Sequence, residues 1–226
     1  MTSQLTASPG WLIHQYPVRD NLLLVYLLTP AQLIKGFYRV PKHKHWRIPP
    51  QCFLPYHVIY RLKKDSINIQ SLEPIGPAYT LKHLKLWLGI YLNELVFHVL
   101  RHEHSEDTFQ FFNLYEAIIA HPHPCPEALL REFEYLLLQD CGFGIDCSMT
   151  AAGESIVAAK QYQFVAGHGF YLAETGYHGA ALLSIASGQF DIKCLKPILR
   201  QAIDLVLDGK VLNSRALLRQ WLKQQL

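Results

Sequence analysis

The stretch Leu72-Glu-Pro-Ile-Gly-Pro-Ala-Tyr-Thr-Leu81 separates two parts of the chain that differ in the periodicity of their apolar residues. On its N-terminal side, short β-branched and aromatic runs are divided by Pro, Asp and Asn turn signals, which is typical of β-strands. On its C-terminal side, residues 80–102 are apolar on nearly every face, as in a buried central helix. The sequence therefore predicts an α+β protein with a domain boundary near residue 77.

Residues 1–77 predict a small β-barrel. Five runs have the composition and length of strands, at residues 11–16, 22–28, 33–40, 53–63 and 66–71. Short strands at this spacing are typical of small barrels. The segment 40–50 contains three prolines and a basic cluster. It predicts a protruding loop, because proline does not fit a central strand.

Residues 78–226 predict a domain made entirely of helices. The helices are expected at residues 80–102, 106–121, 126–141, 196–207 and 214–224. Pro126 stands at the start of the third helix and Gly142 just past its end, which is the asymmetry of a capped helix. Asn213 or Ser214 is expected to cap the last helix. Residues 148–178 show less pattern.

Charge is segregated along the chain, although the net charge is only +3. Residues 21–64, the first basic block, contain eight bases and no acid, a net charge of +8. Residues 65–192 have a net charge of −10, and residues 193–226, the second basic block, have a net charge of +5. Each basic block is a candidate surface for a polyanion, although a solvated basic face without a partner is the plainer alternative.

Aromatic residues lie among the bases of the first basic block. These rings are Phe37, Tyr38, Trp46, Phe53, Tyr56 and Tyr60. Single-stranded nucleic acid is commonly held by such a mixture, with bases stacked on rings and cations along the phosphates. In a small barrel about half of each strand points inward, so two or three of the six rings are expected outside. The predicted DNA-binding residues of the two blocks are Lys35, Arg39, Lys42, Lys44, Trp46, Arg47, Arg61, Lys63, Lys64, Lys210, Arg215 and Arg219.

The sequence offers little support for catalysis. It has no nucleophile elbow of the Gly-x-Ser-x-Gly type and no Gly-x-x-x-x-Gly-Lys-Ser/Thr phosphate loop, so no catalytic residue and no nucleotide cofactor are predicted. Its five cysteines include no Cys-x-x-Cys pair, which argues against a zinc ribbon. His98 and His102 stand at helical i, i+4 spacing upstream of His121, His123 and Cys125. No carboxylate completes a His-Glu-x-x-His motif, and no metal site is predicted.

The chain is also expected to remain in the cytoplasm. Its longest apolar run, at residues 21–28, is far shorter than the roughly 20 residues of a membrane-spanning helix. The first ten residues lack the basic and apolar regions of a secretory signal. No membrane partner is therefore expected.

Arg131 is a candidate partner-binding residue, because it lies beside an apolar stripe that includes Leu130 and Phe133. Such a pairing could receive a peptide with an acidic, apolar end. The plainer alternative is an ion pair on the helix surface with Glu127 or Glu134.

Three stretches of the helical part resemble the RecO family of bacterial DNA repair and recombination mediators. They are Gly89-Ile-Tyr-Leu-Asn-Glu-Leu95, then Leu130-Arg-Glu-Phe-Glu-Tyr-Leu-Leu-Leu138 with Cys141-Gly-Phe-Gly-Ile-Asp146, and Gly209-Lys-Val-Leu-Asn-Ser-Arg-Ala-Leu-Leu218. Their order and spacing match that family. Residues 11–29 and 53–72 resemble, more loosely, the strands of its OB-fold domain.

The resemblance implies an OB-fold-like DNA-binding domain at 1–77 and a helical domain at 78–226 that binds DNA and partners. It implies binding of single- and double-stranded DNA, annealing of complementary strands and loading of recombinase, without ATP hydrolysis. The partners it implies are a RecR-like mediator, single-stranded DNA-binding protein and, indirectly, a RecA-type recombinase, so the protein would be associated with the nucleoid. In the family, the acidic tail of single-stranded DNA-binding protein docks at a basic position that Arg131 matches. Some relatives hold zinc with four cysteines, whereas Cys141 and Cys147 lack partners at that spacing.

Two other functions remain open from the residues alone. One is a metal-dependent nuclease or hydrolase built around the histidines. The other is a protein-binding adaptor without DNA affinity, whose basic blocks serve acidic proteins.

Overall fold

Strands of the N-terminal 74 residues close into a barrel in the computed structural model, which describes residues 5–41, 49–63, 66–100, 107–189 and 191–224. The strands are β1 (Leu5–Arg19), β2 (Leu22–Leu28), β3 (Leu33–Arg39), β4 (Pro55–Lys63) and β5 (Ser66–Pro74). They close in the order β1-β2-β3-β5-β4. The β3–β5 pairing is parallel and the other four are antiparallel.

The alternation of side chains along β3 shows how the barrel forms. Residues 34, 36 and 38 are buried, and residues 35, 37 and 39 are exposed, which is the period of two expected of a strand with one face in the core. Gly36 is required on the inner side, because a Cβ there would lie 2.9 Å from the carbonyl oxygen of Ile67 on β5. The barrel interior is filled by Leu12, Val25, Leu27, Ile34, Tyr38, Tyr56, Val58, Tyr60, Ile69 and Leu72.

The chain after the barrel is mainly helical. It forms α1 (Leu84–Leu100), α2 (Phe109–Ala120), α3 (Glu127–Asp140), β6 (Gln161–Val165), β7 (Gly169–Ala173), β8 (Tyr177–His178), α4 (Gly179–Ala186), α5 (Ile192–Val206) and α6 (Asn213–Gln224). Two compact units result. The first unit comprises residues 1–124 and 212–226, and the second unit comprises residues 125–211.

In the first unit, α1 packs against β1 and also contacts α6. Phe97 of α1 meets the Tyr26 ring edge-on, with ring centroids 4.9 Å apart. The fully buried ring of Trp11 lies 5.5 Å from that of Tyr115 on α2 and 5.8 Å from that of Tyr79. These contacts join the helices of the first unit to one side of the barrel.

In the second unit, α3 and α5 pack together beside a three-stranded sheet in the order β7-β6-β8. Phe133 and Leu137 of α3 and Leu195, Ile198 and Leu199 of α5 are completely buried. This unit therefore has its own apolar core.

The predicted α+β class, with an N-terminal OB-fold-like barrel followed by helices, is confirmed. The prediction that residues 78–226 are entirely helical is wrong, however, because strands β6, β7 and β8 form a sheet within residues 161–178. Helix α4, at residues 179–186, was not predicted either. The alternation in Gln161-Tyr-Gln-Phe-Val165 is only five residues long, which is too short to stand out in the sequence. The functional division at residue 77 stays a prediction. Within the described residues, no helix is both long enough and apolar enough to cross a membrane.

Candidate nucleic-acid interface

The outer side of β3 presents two cations on either side of an aromatic ring. Lys35, Phe37 and Arg39 are all exposed, and Phe37 leaves 41% of its surface open. Consecutive outward residues of a strand are about 6.6 Å apart, so the three side chains form one short row.

Strand register extends this row across the barrel. Phe37 is opposite Asn68 of β5, and Asn68 is opposite Arg61 of β4. We call Lys35, Phe37, Arg39, Arg61 and Asn68 the barrel face. Among the described residues, none of its three cations forms an ion pair. Arg39 donates a hydrogen bond from Nη1 to the side-chain oxygen of Asn21, at 3.2 Å.

Helix α1 covers part of the neighbouring outer surface of the barrel. Tyr26 of β2 is only 6% exposed, since it lies under Phe97. His14 and Tyr16 of β1 also lie near Phe97, although Tyr16 remains 42% exposed. Lys35 lies next to this covered surface, with its Nζ 6.0 Å from the centre of the Tyr26 ring. The barrel face is thus the part of this surface that the helices leave open at β3.

The described rings of the first basic block differ in their exposure. Tyr38, Tyr56 and Tyr60 are buried inside the barrel, and Phe53 is half-buried, with its ring close to Gly89 of α1. Of the described rings among the six, Phe37 is the exposed one. Trp46 lies outside the described residues, as do Lys42, Lys44, Arg47 and Lys64, and Lys63 is the last residue of β4.

The predicted residues of the second basic block do not all belong to one unit. Arg215 and Arg219 lie one turn apart on α6 in the first unit, and Lys210 is an exposed residue of the second unit. The guanidinium of Arg215 lies over the Tyr91 ring of α1, 5.6 Å from its centre. Arg219 donates from Nε to the carbonyl oxygen of Arg215.

The start of α6 is held by a carboxylate from α1. The backbone N–H groups of Asn213 and Ser214 donate to the two oxygens of Glu94, at 3.2 and 2.8 Å. The prediction that Asn213 or Ser214 supplies the cap is wrong, because the cap comes from a residue 119 positions earlier in the chain. Glu94 is therefore a residue that local sequence rules could not identify.

Curated proteins resemble the chain over nearly its whole length. The DNA repair protein RecO of Legionella pneumophila is 33% identical over 222 residues, which cover 92% of this chain and 95% of the relative. The proteins of the same name from Stutzerimonas stutzeri and Proteus mirabilis are 30% and 31% identical, and cover 92% and 94% of this chain and 92% and 93% of their own.

The chain belongs to the RecO family. The resemblance noted in the sequence is thereby confirmed, and with it a role in DNA repair. No protein-family model matches the chain.

The position that the RecO resemblance assigns to a partner tail lies in the second unit. Arg131 is 8% exposed and donates from Nη1 to Glu134 at 2.6 Å. Leu130 and Phe133 are 4% and 0% exposed, so both belong to the core. The ion pair matches one of the alternatives in the sequence, and the partner role of the three residues stays a prediction.

The thiols and histidines of the chain bear on the alternative of a metal-dependent enzyme. Burial raises the pKa of the Cys52 and Cys194 thiols to about 11 and that of Cys147 to about 12, so all three are protonated at neutral pH. Among the described residues, no three His, Cys, Asp or Glu side chains are grouped so as to hold a metal ion. His102 lies outside those residues.

An ion pair joins the two main helices of the second unit. Lys196 of α5 donates to Glu127 of α3 at 2.5 Å. The hydrogen bond from Lys196 lowers the pKa of the Glu127 carboxyl. Both side chains are more than a third exposed, so the pair contributes at most a small part of the stability.

Proposed function

We propose that this RecO-family protein binds single- and double-stranded DNA through the barrel face and acts as a mediator of DNA repair and homologous recombination. The observation that carries the proposal is the row of exposed cations Lys35 and Arg39 on one side of β3, with Arg61 across the sheet. A cation without an acidic neighbour is available for a phosphate. The residues 42, 44, 46, 47, 63 and 64 and the bases of α6 are proposed to extend the same surface.

The proposed activity is the annealing of complementary strands. Two strands repel each other through their phosphates, and a surface that neutralises both lowers that repulsion. Annealing makes and breaks only hydrogen bonds and stacking contacts between bases. It therefore needs no catalytic residue and no ATP hydrolysis from this chain.

The proposed partners are those that the RecO resemblance implies. They are single-stranded DNA-binding protein, docking by its acidic tail at Arg131 beside Leu130 and Phe133, a RecR-like mediator and, indirectly, a RecA-type recombinase. Arg131 supports a tail site because its buried Nε has no hydrogen-bond partner among the described residues. A buried guanidinium nitrogen without a partner favours an added acceptor.

The proposal is tested by reversing the charge of the barrel face. In the variant Lys35→Glu/Arg39→Glu, single-strand affinity is expected to fall. The slope of log K against log salt is expected to become shallower by at least about 1.4, since each neutralised phosphate of a single strand contributes about 0.7. Affinity is measured by fluorescence anisotropy at four salt concentrations, and annealing of complementary oligonucleotides is followed without ATP or metal.

The matched control is Lys82→Glu/Lys160→Glu, which changes the net charge equally at two exposed lysines outside the barrel. Its salt slope is expected to stay close to that of the unchanged protein. If the two double variants have the same slope, the barrel face does not contact phosphate and the proposal is wrong.

A further inference from the structure

We infer that Phe37 is a stacking platform for an unpaired nucleobase, which makes the barrel face selective for single strands over duplex. This inference rests on the proposed function, since it concerns the same surface, and it names the form of DNA that the surface prefers. The Phe37 ring lies outside the barrel core and is exposed.

The exposure of Phe37 distinguishes it from the other described rings of the first basic block. The ring lies in the middle of a seven-residue strand and is 41% exposed, whereas the other described rings of the first basic block are buried or half-buried. On the neighbouring strand, Tyr26 is covered by Phe97. Water contact with an aromatic face is unfavourable, so a ligand that covers the ring gains free energy.

The neighbours of Phe37 determine what kind of ligand can cover it. Lys35 and Arg39 stand on either side along the strand, and Arg61 lies two strands away beyond Asn68. An apolar protein segment would bring its own backbone and side chains against three cations. A polynucleotide instead combines a flat aromatic base with anionic phosphates, and stacking on a ring between cations is the usual way in which single strands are held.

The ring also distinguishes unpaired from paired bases. In a duplex, each base is stacked on both faces by its neighbours, so its flat surface is not open to an outside ring. A single strand can turn one base onto Phe37 while adjacent phosphates meet Lys35 and Arg39. The cations therefore serve both forms of DNA, and the ring serves only the unpaired form.

The ring is held in place by a rigid part of the barrel. The next residue toward the N-terminus, Gly36, is buried directly against the backbone of β5. The backbone of Phe37 is paired on both sides, with Leu24 of β2 on one side and Asn68 of β5 on the other. A platform of this kind loses little conformational freedom when a base stacks on it.

The test compares an ordinary oligonucleotide with one of the same length in which every central nucleotide is abasic. The two strands carry the same phosphates, but only the first has bases to stack. For Phe37→Ala in the full chain, affinity for the ordinary strand is expected to fall by about 5- to 150-fold, the range for loss of one stacked base. Its affinity for the abasic strand and for duplex is expected to stay within about twofold of the unchanged protein.

Three further variants make the result specific. Phe37→Leu keeps an apolar side chain without a ring and is expected to behave as Phe37→Ala does. Phe37→Trp keeps a ring and is expected to bind the ordinary strand as well as the unchanged protein. Ile75→Ala, which shortens another exposed apolar residue of the first unit, is expected to change neither affinity.

The outcomes separate this inference from the proposal on which it rests. If Phe37→Ala weakens ordinary and abasic strands equally, or weakens neither, the inference is wrong while DNA binding by the cations stands. If the unchanged protein binds no strand at all, the proposed function fails and the inference fails with it. If Phe37→Leu keeps the single-strand affinity of the unchanged protein, an apolar side chain without a ring suffices and stacking on the ring is overturned.

Discussion

Lys35 and Lys85 show that the surroundings of a lysine decide its role. Lys35 is exposed on the barrel face and is available for a phosphate. Lys85 of α1 is 9% exposed, and its Nζ donates to the carbonyl oxygens of Ile118, His121 and His123 at 2.5, 2.8 and 3.4 Å. Those carbonyls stand at the C-terminal end of α2, where the helix dipole favours a cation. Lys85 therefore holds α2 against α1.

We predict that Lys85→Met lowers the free energy of unfolding by about 1 to 3 kcal/mol. The substitution keeps the apolar stem but leaves buried carbonyl groups without their donor, which costs about that much. Urea denaturation followed by tryptophan fluorescence measures the change. Lys82→Met, at an exposed position three residues earlier and before the start of α1, is the control and is expected to stay within about 0.5 kcal/mol. Equal stability of the two variants would contradict the capping role.

Helix α6 is attached to the first unit by contacts to one face of α1. Glu94 caps its N-terminus, Tyr91 supports Arg215, and His83 lies 6.4 Å from Trp221 between ring centroids. The resemblance had singled out residues 89–95 and 209–218 as two separate stretches. The structure gives a physical reason for both, because the first stretch contains the carboxylate that the second stretch needs at its helix start.

We predict that Glu94→Ala loosens α6 while leaving the barrel intact. Loss of an N-cap costs about 1 kcal/mol, which corresponds to an about fivefold larger equilibrium constant for opening of the helix. Its amide hydrogens then exchange about five times faster. Hydrogen exchange measured by mass spectrometry is expected to show this acceleration in residues 213–224. Glu116→Ala, at an exposed glutamate of α2, provides the comparison. Unchanged exchange in α6 with Glu94→Ala would mean that the cap contributes nothing.

Elements with a strong local signal could be predicted from the sequence, and elements fixed by distant partners could not. Strand β2 was predicted at its observed bounds, because its apolar run is long and flanked by turn residues. Helix α5 was expected from residue 196. It begins at Ile192, where Asp191 accepts from the N–H groups of Lys193 and Cys194.

Some residues of the candidate site could likewise be predicted from the sequence, and others could not. Lys35 and Arg39 were among the predicted DNA-binding residues because both are bases of the first basic block, and the alternation along β3 places both on its exposed side. The sequence could not select Phe37 from six candidate rings, since burial of Tyr38, Tyr56 and Tyr60 depends on barrel closure. The DNA role of all these residues, like the partner role of Arg131, stays a prediction.

At the scale of the molecule, the two units carry opposite charge. The first unit has fifteen bases and eight acids, a net charge of +7, and the second has six bases and ten acids, a net charge of −4. The overall charge of +3 hides this difference. A polyanion is attracted to the first unit and repelled by the second, so we expect the charge of the first unit, and not the net charge, to determine the proposed affinity for DNA.

The two cores lead to a prediction about stability and binding together. Phe133 is completely buried in the second unit, and Phe133→Ala is expected to cost that unit about 3 to 5 kcal/mol. Because the barrel has a separate core, hydrogen exchange should accelerate in residues 125–211 and stay unchanged in β1 to β5. Single-strand affinity, measured where the variant remains folded, should also stay unchanged, since the barrel face lies in the first unit. Phe133→Leu, with a smaller cavity, should show the same pattern at lower amplitude. Equal acceleration of exchange in both cores would instead show that the two units unfold together. Loss of partner binding in a Phe133 variant would then result from lower stability and not from a lost contact.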